Sequence, residues 1–360
     1  MASRLHFGIT LLRNTLLSSV CCVAMATRAG EPLPRHVVLV FADARPASPG
    51  LDVDGYRRLA AFVDPQGQPK DTLFDGFLIY GLRTPSGVGL VPDFGKAPIQ
   101  QVDYDWFLGH VLDPGQQAAN LEAAVDSLPP NLRETKQIIL GMPYPSDTLS
   151  NDVRMALVTH FQDEAVRRFA AAHFAHVRLN GFYWVQETIT GPDVSLVQAT
   201  AKAIHTRSLN FFWIPYFDSD GQADWRAEGF DCAMLQPNYA FRNVKPDRLD
   251  EAETKRQQQG MSMEIEIARY TRNRPESPAW KDSFLKYLSA GLTHQWDGLD
   301  CVSFYNGNDF VKMSRRPQDY PYYELIHKFT SRTLKPEDLI RLTPDATAEM
   351  ATPDKTVVHP

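Results

Sequence analysis

The chain has 360 residues, enough for two average domains or one large α/β domain. Its composition, 43% hydrophobic and 22% charged residues, is that of a globular protein with a sizeable core. The formal net charge of −6 argues against a nucleic-acid partner, which would require a basic face, and no local run of Lys and Arg supplies one.

The first 29 residues resemble a signal peptide. Arg4 and Arg13 precede an apolar stretch at residues 16–23 that is too short to span a bilayer. Small residues at Ala24 and Ala26 then form a cleavage site, with Ala29 as a second choice. The alternative is an N-terminal core helix. No later segment approaches the ~20 apolar residues of a membrane span, so we expect export to the periplasm or the extracellular space without a membrane span.

After residue 30, short apolar runs alternate with longer amphipathic stretches, the pattern of a parallel sheet with crossover helices. The predicted strands are residues 36–41, 74–80, 137–142, 181–186, 210–216, 230–236, 260–267 and 301–305. The predicted helices are residues 116–128, 152–175, 194–207, 246–259 and 280–292.

Eight strands in this alternation favour a single closed (β/α)8 (TIM) barrel over residues 30–330. An open doubly wound sheet is the alternative, although the sequence lacks a glycine-rich dinucleotide fingerprint. Residues 82–106 are expected to form a long functional loop, and residues 331–360 a flexible, irregular tail. Cys232 and Cys301 fall in strands without further Cys or His nearby, so we expect buried apolar side chains, no metal site and no cofactor.

Active sites of such barrels lie at the carboxyl ends of the strands. The side chains there are mostly aromatic, amide and acidic, which suits a carbohydrate, because sugar rings stack on aromatic groups and their hydroxyls pair with amides and carboxylates. The candidate substrate-binding residues are Tyr80, Tyr144, Trp184, Tyr216, Gln236, Asn238, Tyr239, Tyr305 and Asn306. Trp213 and Trp296 are further stacking candidates.

Several of these candidates have an equally simple structural interpretation. Trp184 and Trp213 could instead pack between the barrel and its helices. Tyr305 could be a buried structural tyrosine. The segment after the sixth strand, which contains Asn238, could serve a turn.

Acidic residues follow the fourth predicted strand and lie within the seventh. In the seventh, Met263 and Ile265 alternate with Glu264 and Glu266, so the apolar side chains should face the helices and both glutamates the lumen. Buried carboxylates are paired, protonated or used in chemistry. Glu187 is the expected general acid/base, and Glu264 or Glu266 the nucleophile, a choice that the strand register leaves open.

The acidic residues also have interpretations that involve no catalysis. One lumen glutamate could bind an arginine, and Glu187 could be a solvated loop residue. Asp43 is a rim carboxylate with a smaller expectation of contact with substrate. Asp218 and Asp220 suit an ordinary turn better than a calcium loop.

A glutamate after the fourth strand and another on the seventh resembles the clan of retaining glycoside hydrolases built on (β/α)8 barrels. In that clan an amide commonly precedes the acid/base, as Gln186 precedes Glu187 here, with Gln in place of the usual Asn. Residues 36–329 also resemble a bacterial family described as a domain of unknown function, through the segments GFYWVQE, WIPYF, GFDCAMLQPNYAF and GMSMEIEIA.

These resemblances imply a barrel, and the clan implies hydrolysis of a poly- or oligosaccharide by two carboxyl groups. A non-catalytic carbohydrate-binding or cell-surface barrel is the alternative function. An esterase is disfavoured, because the sequence has no Gly-x-Ser-x-Gly nucleophile elbow.

Overall fold

The computed structural model of the protein describes residues 31–343, except for 46–48, 93, 96, 242–243 and 268–278. The expected signal peptide and residues 344–360 of the expected tail lie outside the described residues. No helix in the described part of the chain is both long enough and apolar enough to cross a membrane.

The described strands form one closed barrel and one hairpin. They are β1 (His36–Phe41), β2 (Ala61–Val63), β3 (Pro69–Thr72), β4 (Gly76–Tyr80), β5 (Lys136–Met142), β6 (Val177–Trp184), β7 (Asn210–Trp213), β8 (Cys232–Leu235), β9 (Ser262–Glu266) and β10 (Val302–Tyr305). The barrel order is β1-β10-β9-β8-β7-β6-β5-β4, and each neighbouring pair is parallel. The eight predicted barrel strands and the (β/α)8 fold are therefore confirmed.

Helices connect these strands and cover the outside of the barrel. They are α1 (Val53–Ala60), α2 (Gln101–Leu112), α3 (Gln117–Asp126), α4 (Asn151–Ala172), α5 (Gly191–Thr206), α6 (Arg248–Gln259), α7 (Ala279–Thr293), α8 (Gly307–Arg315), α9 (Tyr320–Thr330) and α10 (Pro336–Ile340). The five predicted helices correspond to α3, α4, α5, α6 and α7. Gly260, with φ of 63°, ends α6 in the left-handed conformation that glycine tolerates best.

The sequence patterns missed several elements. Helix α1 and the antiparallel β2–β3 hairpin fill the connection between β1 and β4. Helix α2 begins at Gln101, inside the segment that was expected to be a loop up to residue 106. It contains few polar residues on any face, so it lacks the amphipathic pattern that identifies a surface helix.

The expected tail also begins later than residue 331. Helix α10 packs against α7, and the side chains of Leu334 and Leu339 are buried. The packed part of the chain therefore extends beyond the expected domain boundary, because these two leucines add to the apolar layer outside the barrel.

Two apolar layers follow from the alternation of side chains along the barrel strands. Alternate residues such as Leu39, Leu78 and Phe212 fill the lumen, while their neighbours face the helices. On β9, Met263 and Ile265 belong to the layer beneath the helices. Glu264 and Glu266 therefore point into the lumen, as the sequence predicts.

Candidate active site

Glu264 lies in the lumen between polar side chains of the two neighbouring strands. It is in register with Ser303 on β10, and Gln236 follows the end of β8 at the same level. Glu264, Ser303 and Gln236 are all buried. No described residue makes a hydrogen bond of normal geometry to either carboxyl oxygen of Glu264. A carboxyl group in such a place is costly to ionise.

Burial is the main cause that raises the pKa of Glu264 well above its ordinary value, and the charges of Glu266 and Glu187 act in the same direction. The polar side chains of Ser303 and Gln236 lie close enough to lower this pKa. Their effect is smaller than that of burial and of the two neighbouring charges. Burial and these charges therefore favour the protonated form of Glu264.

Glu266 lies one pleat nearer the mouth, in register with Tyr305 of β10. The hydroxyl of Tyr287, on α7, donates a hydrogen bond to Glu266 Oε2 and accepts one of 3.2 Å from the amide of Tyr239. Burial raises the pKa of Glu266 to about 8, while Tyr287 and the amides of Tyr239 and Ala240 lower it. The site thus supplies donors that favour the ionised form of this carboxyl group.

Glu187 comes from the opposite side of the mouth, just beyond the end of β6, and is exposed. Its charge raises the pKa of Glu264 and of Glu266. An electrostatic effect on both groups requires Glu187 to lie near them. The structure therefore brings together the three acidic residues that the sequence singled out from two distant segments.

Three tyrosines surround these carboxyl groups. Tyr80, Tyr183 and Tyr305 project into the lumen, and the rings of Tyr80 and Tyr183 meet edge to face with centroids 6.1 Å apart. Burial raises the pKa of each hydroxyl, with further contributions from Glu187 and Glu264. The predicted placement of Tyr80 and Tyr305 at the lumen is observed.

Tyr183 was missed by the sequence analysis, which selected its neighbour Trp184 instead. The alternation of side chains contained the necessary signal. A strand that directs Glu187 toward the lumen also directs Val185 and Tyr183 there, and turns Trp184 away.

The tryptophan candidates are core residues. Trp184 is fully buried in the layer between barrel and helices, where its ring meets Phe211 edge to face. The prediction that Trp184 binds substrate is therefore wrong, because it lies on the outer face of β6. Trp213 and Trp296 are buried in the same layer and donate to Gln186 O and Glu253 Oε2, respectively.

Other candidates are occupied by structural contacts. The Asn306 side chain caps α8, accepting from the amide of Asp309 and donating to its carboxylate at 2.9 Å, so these atoms serve the helix and the role of Asn306 in substrate binding stays a prediction. The hydroxyl of Tyr144 donates to Asp193 at 3.1 Å in a buried cluster with Arg154, below the rim. This contact leaves only the half-buried ring of Tyr144 for a ligand.

In the segment after β8, one predicted residue lies in the lumen and another forms part of a turn. Gln236 lies beside Glu264 in the lumen, and the half-buried Tyr216 forms a parallel bridge with Gln236 at the end of β7. Asn238 adopts a left-handed conformation with φ of 59°, which supports the turn interpretation. The ring of Tyr239 packs edge to face on Tyr287 of α7, so the backbone of this residue faces the site instead of its side chain.

The remaining rim carboxylates lie outside the cluster. Asp43 is buried and held by Arg45 and by the amide of Leu82, at 2.8 and 2.9 Å. Asp218 and Asp220 are exposed on the turn after β7. In the described part of the chain, no group of three His, Cys, Asp or Glu side chains could hold a metal ion.

Residues 36–330 match the model of the family described as "Domain of unknown function (DUF4855)". The chain belongs to this family. A comparison with curated proteins finds no match.

Solved structures with a similar fold include glycoside hydrolases. One from Bacteroides thetaiotaomicron, provisionally named an α-L-fucosidase, has a TM-score of 0.50 and 13% identity over 89% of this chain and 99% of that one. A family 18 chitinase from Pseudoalteromonas aurantia has a TM-score of 0.42 and 8% identity, with coverages of 82% and 99%. A psychrophilic family 10 endo-β-1,4-xylanase has a TM-score of 0.41 and 11% identity, with coverages of 76% and 86%. At these identities the likeness shows a similar fold and nothing beyond the fold.

Proposed function

We propose that this protein is a glycoside hydrolase that cleaves a poly- or oligosaccharide with the carboxyl groups of Glu187 and Glu266. The observation that carries the proposal is that Glu187, beyond the end of β6, and the lumen-facing glutamates of β9 lie at the same end of one closed barrel. Two convergent carboxyl groups are the minimum equipment for this reaction. The tyrosines around them provide ring faces and hydroxyls for a sugar.

In the proposed mechanism Glu187 is the general acid/base, because it lies at the exposed rim where a glycosidic oxygen would enter. Glu266 is the nucleophile, because Tyr287 and two backbone amides stabilise its ionised form. Glu264, the deeper group, stays protonated and supports Glu266.

The reactive form has the proton on Glu187 and the charge on Glu266. Attack by Glu266 on the anomeric carbon breaks the bond to the leaving oxygen, which takes the proton of Glu187. Glu187 then removes a proton from water, and the resulting attack releases the sugar from Glu266 with net retention of configuration.

The pKa of Glu266 gives this mechanism a pH dependence. The reactive form needs a proton on Glu187 and none on Glu266, whose pKa is about 8, so the pH profile of kcat/KM for the free enzyme should bend near pH 8, where Glu266 titrates. Proton NMR of the first-formed anomer would test retention of configuration.

The decisive experiment is a screen of the purified protein against aryl glycosides, including α-L-fucosides, and against bacterial and plant polysaccharides. The hydrolysing substrate is then used with Glu187→Gln and Glu266→Gln. We expect each change to lower kcat by about 10³-fold or more, as for the loss of an acid/base or a nucleophile.

The matched control is Glu324→Gln, which removes an exposed glutamate on α9 whose partner is Lys328. This variant should retain full activity. Undiminished turnover in both site variants, with the fold intact by circular dichroism, would remove the mechanism.

One observation favours a second candidate, a barrel that binds carbohydrate without hydrolysis. Glu264 and Glu266 are both completely inaccessible to solvent. Hydrolysis therefore requires the substrate to uncover Glu266, whereas binding at the rim does not. Saturable binding of an oligosaccharide without product, equally strong in wild type and Glu266→Gln, would support this second function.

We also propose that the protein is exported and loses its first 26 or 29 residues. The pattern at Arg4, Arg13 and residues 16–26 supports this proposal. N-terminal sequencing of protein recovered from the periplasm or the medium tests it, and an intact Met1 would contradict it.

A further inference from the structure

Three sulfur-bearing side chains meet deep in the lumen, toward the amino end of the barrel and below the glutamates. They are Cys232 and Met234 of β8 and Cys301, which directly precedes β10, and we call them the sulfur cluster. The distance from Cys301 Sγ to Met234 Sδ is 3.7 Å, and Cys232 belongs to the same buried lumen cluster. All three side chains are buried, and both cysteines are free.

The backbone does not place the thiols of Cys232 and Cys301 for a disulfide. Strand β9 lies between β8 and β10, and adjacent strands are ~4.8 Å apart, so the Cα atoms are separated by about 9 Å. A disulfide requires Cα atoms about 4.4–6.8 Å apart. Cys232 and Cys301 therefore remain reduced without a movement of the barrel strands, even in an oxidising compartment.

The spacing of the sulfur cluster suits a bound soft ion. With metal–sulfur bonds of about 2.3 Å, three sulfur ligands at the corners of a trigonal site are about 4 Å apart. The observed 3.7 Å between Cys301 Sγ and Met234 Sδ is close to that separation. These two sulfur atoms are therefore spaced as two ligands of one metal ion, and Cys232 lies in the same cluster as the third.

The sulfur cluster can also be reached from outside. A cleft of about 430 Å³ at the amino end of the barrel is lined by Cys232 and Cys301, together with Leu33, Ser262 and Asp300. An ion that enters this cleft meets the two cysteines without passing through the mouth that holds the glutamates.

The geometry points to a binding site for Cu(I), formed by Cys232, Met234 and Cys301 at the amino end of the lumen. Thiolate and thioether ligands select Cu(I) over harder ions. Zinc is disfavoured, because it takes four ligands in structural sites and the sulfur cluster supplies three. Each thiol that binds as a thiolate releases one proton. The proposal is independent of the proposed hydrolase activity.

The test is an anaerobic Cu(I) titration of the full chain in competition with bicinchoninate. Cys21 and Cys22 are replaced by Ser in every sample, so that Cys232 and Cys301 are the only thiols among the four cysteines. We expect one Cu(I) per chain, near-ultraviolet thiolate–copper charge-transfer absorption and Cu–S scattering at about 2.3 Å in X-ray absorption.

Variants assign the ligands. Cys232→Ala and Cys301→Ala should each weaken binding at least 100-fold, and Met234→Leu at least fivefold. The matched control is Met263→Leu, because Met263 is equally buried but faces the helices. This control makes the same chemical change on the other side of the sheet and should leave the affinity unaltered.

Three outcomes would overturn the proposal. They are the absence of stoichiometric Cu(I) in the wild-type lumen, binding that survives both cysteine changes, and equal effects of Met234→Leu and Met263→Leu. Thermal unfolding of each variant identifies any that fails to fold. The Met234→Leu comparison keeps the test valid if a cysteine variant is lost, because this change preserves side-chain volume.

Discussion

The two ends of the barrel differ in the hydrogen bonds that their buried polar side chains make. At the amino end, Asn180 donates to Pro32 O at 2.9 Å, and Asn210 donates to Glu31 O at 2.8 Å and to Asn180 Oδ1 at 3.0 Å. Asp75 accepts from two backbone amides at 2.7 and 2.8 Å. These side chains hold the segment before β1 against the barrel, so their polarity serves the fold.

At the carboxyl end, the buried polar atoms lack such partners. Both carboxyl oxygens of Glu264, Oε1 of Glu266, Oε1 of Gln236 and Oγ of Ser303 have no hydrogen bond of normal geometry from the described residues. Unsatisfied buried groups cost stability, and a fold retains them where they serve something else. The amino end also has buried polar atoms without a hydrogen-bond partner among the described residues, His36 Nε2, Lys136 Nζ and Ser262 Oγ, but these lie on separate strands, whereas those at the carboxyl end are grouped around Glu264. The carboxyl end is also where (β/α)8 barrels carry their active sites.

The amino end should be the less tolerant of a change in shape. A Cβ added at Gly181, in β6, would overlap the backbone oxygen of Asn210, whereas a Cβ at Gly191 meets nothing within 4 Å. We expect Gly181→Ala to lower the free energy of unfolding by about 3 kcal/mol or more, because backbone cannot move aside. Gly191→Ala is the control and should lie within about 0.5 kcal/mol of wild type. Similar urea midpoints for the two variants would contradict this prediction.

The two ends should also respond oppositely to pH. Burial lowers the pKa of His36, at the amino end, to about 4, and raises that of Glu266 to about 8. Between pH 4 and 6.5 the unfolded state binds a proton at His36 that the folded state does not, so this group makes stability rise with pH. Between pH 4.5 and 8 the folded state binds a proton at Glu266 that the unfolded state does not, so this group makes stability fall.

Above pH 6.5 His36 no longer contributes, and of these two groups only Glu266 changes the free energy of unfolding. Its contribution falls by about 1.4 kcal/mol per pH unit, a loss of about 2 kcal/mol by pH 8. Glu228, outside the lumen, contributes in the same direction up to about pH 7. Urea unfolding at a series of pH values measures the slope. Burial also raises the pKa of Glu264, which contributes in the same direction. Glu266→Gln should therefore reduce the slope between pH 7 and 8 without abolishing it, and an unchanged slope in this variant would show that Glu266 is not one of its sources.

Removing a polar group should have opposite effects at the two ends. Asn210→Ala deletes two hydrogen bonds and leaves Asn180 Oδ1 unpaired, so we expect a loss of about 2 kcal/mol. Glu264→Gln replaces a carboxyl group whose ionised form is disfavoured by burial, so we expect a higher free energy of unfolding at pH 8. Denaturant unfolding at pH 8 compares them. Destabilisation by both changes would refute the distinction between the ends.

The smallest expected effects come from substitutions of two neighbouring aromatic residues of β6, one of which should change activity and the other stability. Tyr183 faces the lumen and Trp184 faces the helices. We expect Tyr183→Phe to lower kcat/KM about tenfold with little change in stability, because a hydroxyl near substrate is lost. Trp184→Phe should cost about 1–2 kcal/mol of stability and leave kcat/KM within about twofold. A loss of activity in Trp184→Phe and a loss of stability in Tyr183→Phe would contradict the assignment of Tyr183 to the site.

Much of the fold could be predicted because barrel strands have strong local patterns. Short apolar runs bounded by turn residues located all eight, and the two-residue alternation in β9 was enough to predict the direction of Glu264 and Glu266. The same rule applied to β6 would have selected Tyr183 over Trp184. That error came from choosing residues by type instead of by the face of the strand.

Other parts of the site could not be predicted, because they depend on contacts between distant segments. Nothing local indicates that Tyr287 of α7 reaches Glu266, or that the Tyr239 backbone, instead of its ring, faces the site. The role of Asn306 was also hidden, because an asparagine at a strand end suits both a ligand contact and a helix cap.

The sequence by itself determined the number of barrel strands, the side of β9 that carries its acids and the family to which the chain belongs. These follow from the two-residue repeat of a strand and from motifs that are local along the chain. Only the tertiary structure decided that Glu187 lies near the β9 acids, that these acids are shut off from water, and that three sulfur atoms meet below them. Closure of the barrel brings together residues far apart in sequence, and burial and proximity in that closed lumen set the pKa of each group.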